Sequence, residues 1–209
     1  MTSNPWKRVS LADYEAHMAM PAVGQAAMLA QELRRAVERT RPDSLALVGC
    51  AGGNGLDELS EYALERVVCV DVNPAYLQTL EARYGAKLRN LECHCCELEQ
   101  FRSQDPVDLV FAGLIFEYTQ LEQAVDSVSR LLQHGGNLYA LLQMPADGMA
   151  TVTPSPYADA LGVVVEAFRY VAPRTLIELA AMHSLNSVEQ KCITLDSGKS
   201  FTLIQFQKD

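Results

Sequence analysis

The chain reads as an α/β protein built on a doubly wound, mostly parallel sheet with helices on both faces. Three observations predict this. Short, continuous apolar runs alternate with helical stretches from Leu45 to Leu142, as strands covered on both faces do. A glycine-rich segment, Gly49-Cys50-Ala51-Gly52-Gly53-Asn54-Gly55, follows the first run, where a strand turns into a helix. Two strand-like runs close the chain, joined by Asp196-Ser197-Gly198-Lys199, and add an antiparallel hairpin at one edge.

The elements follow in order. Ser10-Leu11-Ala12-Asp13 caps a short helix carrying Tyr14, His17 and Met18. Pro21 suits the first turn of a longer helix, in which Ala26, Ala30, Leu33 and Val37 share a face until Pro42 stops it. Leu45 to Val48 is the first strand. Asn54 or Gly55 then opens a helix that includes Leu56, Leu59 and Leu64. Val67 to Val70 is the second strand, ending at Asp71. Asn73-Pro74 is an N-cap with proline at the first helical position, and that helix runs through Leu77 and Leu80 to Gly85.

Leu91 to Cys95 alternates as an edge strand does, and Val107 to Ala112 is the fourth strand. Thr119-Gln120-Leu121-Glu122 reads as a capping box for a helix through Val125, Val128 and Leu132, with His134-Gly135-Gly136 as its terminator. Leu138 to Leu142 is the fifth strand. Met144 to Val171, rich in proline and glycine, reads as a long irregular excursion, and such loops in compact domains are usually functional. Pro173 starts a last helix, and Val188 to Leu195 pairs with Phe201 to Phe206.

The 209 residues suit one domain, 1–209, with 1–42 as an N-terminal helical cap and 144–172 as a substrate-facing lid. Hydrophobic residues make up 49% and charged residues 21%, which selects a folded globule over a disordered chain. The net charge of −9 repels phosphate backbones, so a small molecule is the expected partner and nucleic acid is disfavoured. No apolar run approaches the roughly eighteen residues of a membrane span. The start, with Pro5, Lys7 and Arg8, lacks the apolar core of a secretory signal, so a cytoplasmic protein is expected. Nothing in the composition speaks to oligomeric state.

Six cysteines in such a chain are expected to be free thiols. Cys93-His94-Cys95-Cys96 lacks the paired two-residue gaps of zinc sites. In a strand it also splits its side chains between two faces, so no metal is expected.

The chemistry concentrates at the glycine-rich loop and at Asp71, about twenty residues further on, where a doubly wound fold places a carboxylate for ribose hydroxyls. Dinucleotides and S-adenosylmethionine both use this arrangement, the first with its pyrophosphate at the helix N-terminus.

Leu45 to Gly55 resembles the glycine-rich first motif of class I S-adenosylmethionine-dependent methyltransferases. Val70-Asp71-Val72-Asn73-Pro74 resembles their second motif, Cys96-Glu97-Leu98 the site near the adenine, and Asp108 to Tyr118 the fourth-strand motif. His134 to Leu138 resembles the turn into their fifth strand. Tyr14 to Gln25, Cys50 to Leu56 and Thr153 to Tyr157 resemble a bacterial branch of small methyltransferases.

The resemblance covers nearly the whole chain. It implies a seven-stranded sheet of order 3-2-1-4-5-7-6 with the last strand antiparallel. It implies S-adenosyl-L-methionine as cofactor, held by Gly49, Cys50, Ala51, Gly53, Asn54, Asp71, Val72, Glu97, Leu98, Ala112 and Leu114. Tyr14, His17, Met18, Glu117, Tyr118 and Tyr157 are the candidates for an acceptor pocket, with no single residue singled out as a base.

Two positions depart from the family pattern. Ala51 replaces a common middle glycine, which an alanine tolerates where the local dihedrals are ordinary. Leu47 replaces an acid that helps hold the methionine ammonium. The alternatives are a cofactor-binding protein without turnover and a nicotinamide-dependent oxidoreductase. The C-terminal hairpin and the lack of a basic phosphate site count against the oxidoreductase.

Overall fold

A computed structural model describes residues 4–59, 61–146 and 148–209. Seven strands form one sheet of order β3-β2-β1-β4-β5-β7-β6. They are β1 Ser44–Val48, β2 Arg66–Asp71, β3 Leu91–Cys95, β4 Val107–Gly113, β5 Leu132–Gln143, β6 Leu185–Thr194 and β7 Ser200–Lys208. β1 to β5 pair in parallel, and β7 runs antiparallel to both β5 and β6.

Alternation along the strands builds two cores. Leu45, Leu47, Val67, Cys69, Leu109, Phe111 and Leu141 face one side. Ala46, Val48, Val68, Val70, Val110, Ala112 and Leu142 face the other. The first core is covered by α1 Leu11–Ala19, α2 Gln25–Thr40, α3 Pro74–Tyr84 and α5 Ala158–Val165. The second is covered by α4 Leu121–Leu131 and α6 Pro173–Met182. Both faces of the central strands are therefore dry, which explains their unbroken apolar runs.

Local chemistry sets several helix starts as the sequence predicts. The Ser10 hydroxyl accepts the Asp13 amide at 3.1 Å, and Asn73 Oδ1 accepts the Ala75 amide at 3.0 Å. Five other readings need correction. Pro21 sits in a turn, closed by the Val23 and Gly24 amides donating to the Met20 carbonyl, and α2 starts only at Gln25. Among the described residues no α-helix follows the glycine loop before β2. Gly53 and Gly55 hold φ of 103° and 81°, outside the right-handed helical region, so only a 3-10 turn forms at Leu56–Leu59; Leu64 lies beyond it.

Thr119 forms no capping box, because its hydroxyl donates back to the Phe116 carbonyl at 3.1 Å. The exposed start of α4 is capped from elsewhere, by Glu99 Oε1 accepting the Gln120 amide at 2.7 Å. His134-Gly135-Gly136 does not end a helix but lies within β5. α4 stops at Leu131, where Lys208 Nζ donates to the carbonyls of Ser129 and Leu132 at 2.6 and 2.8 Å. The excursion after β5 is also less irregular than it reads, since α5 lies within it.

Among the described residues no helix is long and apolar enough to cross a membrane. Met1 to Ser3 of the 1–42 cap, Ser60 of the expected helix and Asp147 of the 144–172 segment lie outside the described residues.

Candidate active site

β1 and β4 are neighbours whose following crossovers go opposite ways, so a crevice opens at their carboxyl ends. A cavity of about 1080 Å³, counted out through its mouth, occupies this place. Gly49 shapes its floor. Its φ is 69°, and a Cβ there would stand 2.9 Å from the Ile115 side chain. Glycine alone satisfies both the left-handed turn and that close approach.

Asp71 ends β2 and faces the cavity. Its Oδ2 accepts the Ala51 amide at 2.9 Å and its Oδ1 the Asn73 amide at 2.9 Å. Burial raises its pKa against those amide contacts, and the Glu97 charge adds to the rise. Each oxygen keeps a lone pair for a ligand. Ala51 holds φ of 47°, a left-handed conformation. The dihedrals at this departure are thus not ordinary, and the alanine carries strain that a glycine would not.

The N-terminal segment straps across the mouth. Asn4 Nδ2 donates to Glu97 Oε2 at 2.9 Å, Asn73 Nδ2 to the Trp6 carbonyl at 3.0 Å, and the Tyr76 hydroxyl to the Val9 carbonyl at 3.0 Å. Aromatic rings then line the way inward. Trp6 meets Tyr14 and Tyr118 edge-on at 5.8 and 5.0 Å, and Tyr118 meets Phe168 at 5.5 Å. Trp6 Nε1 is buried with no hydrogen-bond partner among the described residues. Asn54 Nδ2 donates to the Tyr14 hydroxyl at 2.8 Å, tying α1 to the glycine loop. Burial pushes the Tyr14 and Tyr118 phenols far up, so both stay protonated.

The far wall comes from the segment after β5. Met18, Val152, Leu161, Val164 and Phe168 make it apolar. His17 lines it too, with Nδ1 2.7 Å from Ser155 Oγ, and burial and the Lys199 charge lower its pKa. Gln143 ends β5 on this wall, and its Nε2 donates to the Thr151 carbonyl at 3.1 Å.

Of the expected cofactor residues, Gly49, Ala51, Asp71, Val72, Glu97, Leu98 and Leu114 line the cavity, and Cys50, Gly53, Asn54 and Ala112 do not. Cys50 and Ala112 are sealed in the two cores. Gly53 packs under Tyr84, and Asn54 acts through Tyr14. Of the expected acceptor residues, Tyr14, His17, Met18 and Tyr118 line it. Tyr157 points outward, 37% exposed.

Glu117 is buried behind the wall instead. Its Oε1 accepts the Gln143 amide at 2.6 Å, while Oε2 is buried with no partner among the described residues. Desolvation pushes its pKa up to about 7. The sequence reading missed Trp6, Gln25, Gln143, Thr151 and Phe168. Trp6 carried one signal, as the chain's single tryptophan beside a proline; the others carried none.

Among the described residues no three His, Cys, Asp or Glu gather to hold a metal. Cys93 packs towards one core and Cys96 towards the other.

The family model described as a methyltransferase domain matches residues 47–140, from β1 through most of β5. Over that stretch the chain matches the methyltransferase domain, and its sheet has the same order and direction of strands. Solved structures with this fold include N-methyltransferase NodS from Bradyrhizobium japonicum WM9 in complex with S-adenosyl-L-homocysteine. That match has 17% identity, TM-score 0.70 and 99% coverage of both chains. Magnesium protoporphyrin IX methyltransferase from Synechocystis PCC 6803, with the same ligand bound, matches at 8% identity and TM-score 0.71, covering 95% of this chain and 94% of the other. The 1,6-didemethyltoxoflavin-N1-methyltransferase of Burkholderia thailandensis matches at 17% identity and TM-score 0.63, covering 94% and 81%. At these identities the likeness is one of fold. No curated protein matches the chain.

Proposed function

We propose that the chain is a class I S-adenosylmethionine-dependent methyltransferase that holds its cofactor at the β1–β2–β4 end of the cavity. It would transfer the methyl group to a small, mostly apolar acceptor between the N-terminal helices and the segment after β5. One observation carries this reading: a single cavity runs without interruption from Gly49 and Asp71 to Leu161 and Phe168. Donor and acceptor can meet there away from water.

The residues present fit the cofactor. Asp71 offers two inward oxygens to a ribose diol, while Val72 and Leu98 offer apolar surface to a purine beside Glu97. With Leu47 buried in the core, the ammonium falls to Gln25 and to the backbone carbonyls near Gly49 and Gly113. When bound, the cofactor supplies an electrophilic methyl group on a sulfonium. The protein's part is orientation and exclusion of water. Trp6, Tyr14 and Tyr118 close the mouth as rigid rings, and α1 with α5 forms the lid over the acceptor.

The acidic surface favours a small molecule over nucleic acid as acceptor, and a cytoplasmic setting belongs to the same reading. Two of the structural neighbours are described with small organic molecules bound, 1,6-didemethyltoxoflavin in one and geranyl diphosphate in the other. Calorimetric titration with S-adenosylhomocysteine tests the proposal. Micromolar affinity, on the order of −8 kcal/mol, is expected. No heat and no thermal shift at millimolar ligand would refute it.

A further inference from the structure

The two ends of the cavity differ in charge. Asp71, Glu97 and Glu99 line it near the β2–β3 edge of the sheet. At the other end, beside β5 and β7, no carboxylate lines the wall among the described residues. Lys199 sits behind that wall, in the turn between β6 and β7, and is only 3% exposed. Its ammonium donates to the Thr151 carbonyl, the sole hydrogen-bond partner it has among the described residues, and it joins none of their ion pairs.

Thr151 lies on the cavity wall, and so does His17, which feels the Lys199 charge. Two residues along the same segment as Thr151, Thr153 Oγ1 is buried with no partner among the described residues. This end thus presents a histidine ring and an unpaired hydroxyl beside one buried cation, with no carboxylate among the described residues of its wall.

We propose that the acceptor is a small carboxylic acid whose carboxylate docks at the Lys199–His17 corner, with its apolar body against Met18, Leu161, Val164 and Phe168. This rests on reading the cavity as the methyltransferase site. A buried ammonium without an anion is costly, and a bound carboxylate removes that cost while the low local dielectric strengthens the pair. Burial lowers the Lys199 pKa to about 8, so the side chain remains mostly charged at neutral pH. One cation matches one negative charge, which favours a carboxylate over a phosphate dianion. An ammonium-bearing acceptor would meet repulsion at the same corner.

The test uses the full-length protein saturated with S-adenosylhomocysteine. Benzoate, phenylacetate and octanoate are each titrated against the matching primary amide. At least one acid is expected to bind about tenfold or more tightly than its amide. Lys199→Met should bring that ratio close to one with amide affinity unchanged, and Lys199→Arg should keep the preference.

Equal binding of every acid and its amide overturns the proposal. So does a Lys199→Met variant that weakens acid and amide alike, since that marks a purely structural lysine. If Lys199→Met does not fold, the wild-type ratio alone decides. If S-adenosylhomocysteine gives no heat, the cofactor reading fails separately, and the acid–amide ratio on the protein alone still judges this corner.

Discussion

The two ends of the cavity are built in opposite ways. The proposed cofactor end is made where strands stop. Gly49 follows β1, Asp71 ends β2 and Leu114 follows β4, so three parallel strands deliver three wall residues to one edge. The proposed acceptor end has no strand order behind it. It is assembled from the N-terminal segment, α1 and the stretch after β5, with the β6–β7 turn behind that wall. His17 and Ser155 meet there at 2.7 Å although they are 138 residues apart in sequence. A fold can keep its cofactor end while remaking its acceptor end, because only the first is fixed by the sheet.

The largest expected effect lies between the two ends, at Glu117. Its folded pKa of about 7 stands above the ordinary value of 4.5. The native state therefore holds the proton over a pH range in which the unfolded chain has lost it. The resulting stability is full below about pH 4.5 and disappears as pH rises through 7, a change on the order of 3 kcal/mol. Glu117→Gln should remove that component. Urea unfolding at pH 5 and pH 8 measures it, and equal pH slopes in wild type and variant would show that the carboxyl titrates normally.

Asp71→Ala strikes the cofactor end alone. Losing a carboxylate that accepts ligand hydroxyls costs roughly 1.5–3 kcal/mol, so S-adenosylhomocysteine should bind at least about tenfold more weakly. Calorimetry reads this directly, and unchanged affinity places the ribose elsewhere. A modest loss of stability should accompany it, because the Ala51 and Asn73 amides lose their acceptor.

Hydrogen exchange asks whether the ends communicate. If α1 and the segment after β5 close over the cofactor, S-adenosylhomocysteine should slow exchange in both 14–25 and 153–160. Protection restricted to the loops after β1 and β2 leaves the excursion a structural role only.

The smallest effect is at Ala51. With φ at 47°, Ala51→Gly should relieve strain worth about 1 kcal/mol, partly offset by the freer unfolded chain. Thermal unfolding should rise by up to about 2–4 °C. A fall in Tm would mean that the methyl group's packing outweighs the dihedral cost.

The sheet was legible because its information is local. A strand buried on both faces shows an apolar run, as Leu45 to Val48 and Val67 to Val70 do, and a cap such as Asn73-Pro74 announces its helix. The failures share one cause. The cap of α4 comes from Glu99, its C-terminal carbonyls are held by Lys208, and neither partner is visible from the helix itself. Glu117 read as a pocket residue because it follows the fourth strand, yet the Gln143 amide at the end of β5 holds it inside the wall.

By itself the sequence determined the fold class, the succession of the strands and the placement of Gly49 and Asp71 at strand ends. Period-two burial and turn dihedrals act over a few residues, and the chain writes them in order. Tertiary structure alone decided the proposed acceptor end: that Trp6 joins Tyr118, that Thr151 and Lys199 meet, and that among the described residues a buried ammonium has no anion. Those contacts depend on how distant segments fold back over the sheet. They are set by packing and desolvation, which no local pattern encodes.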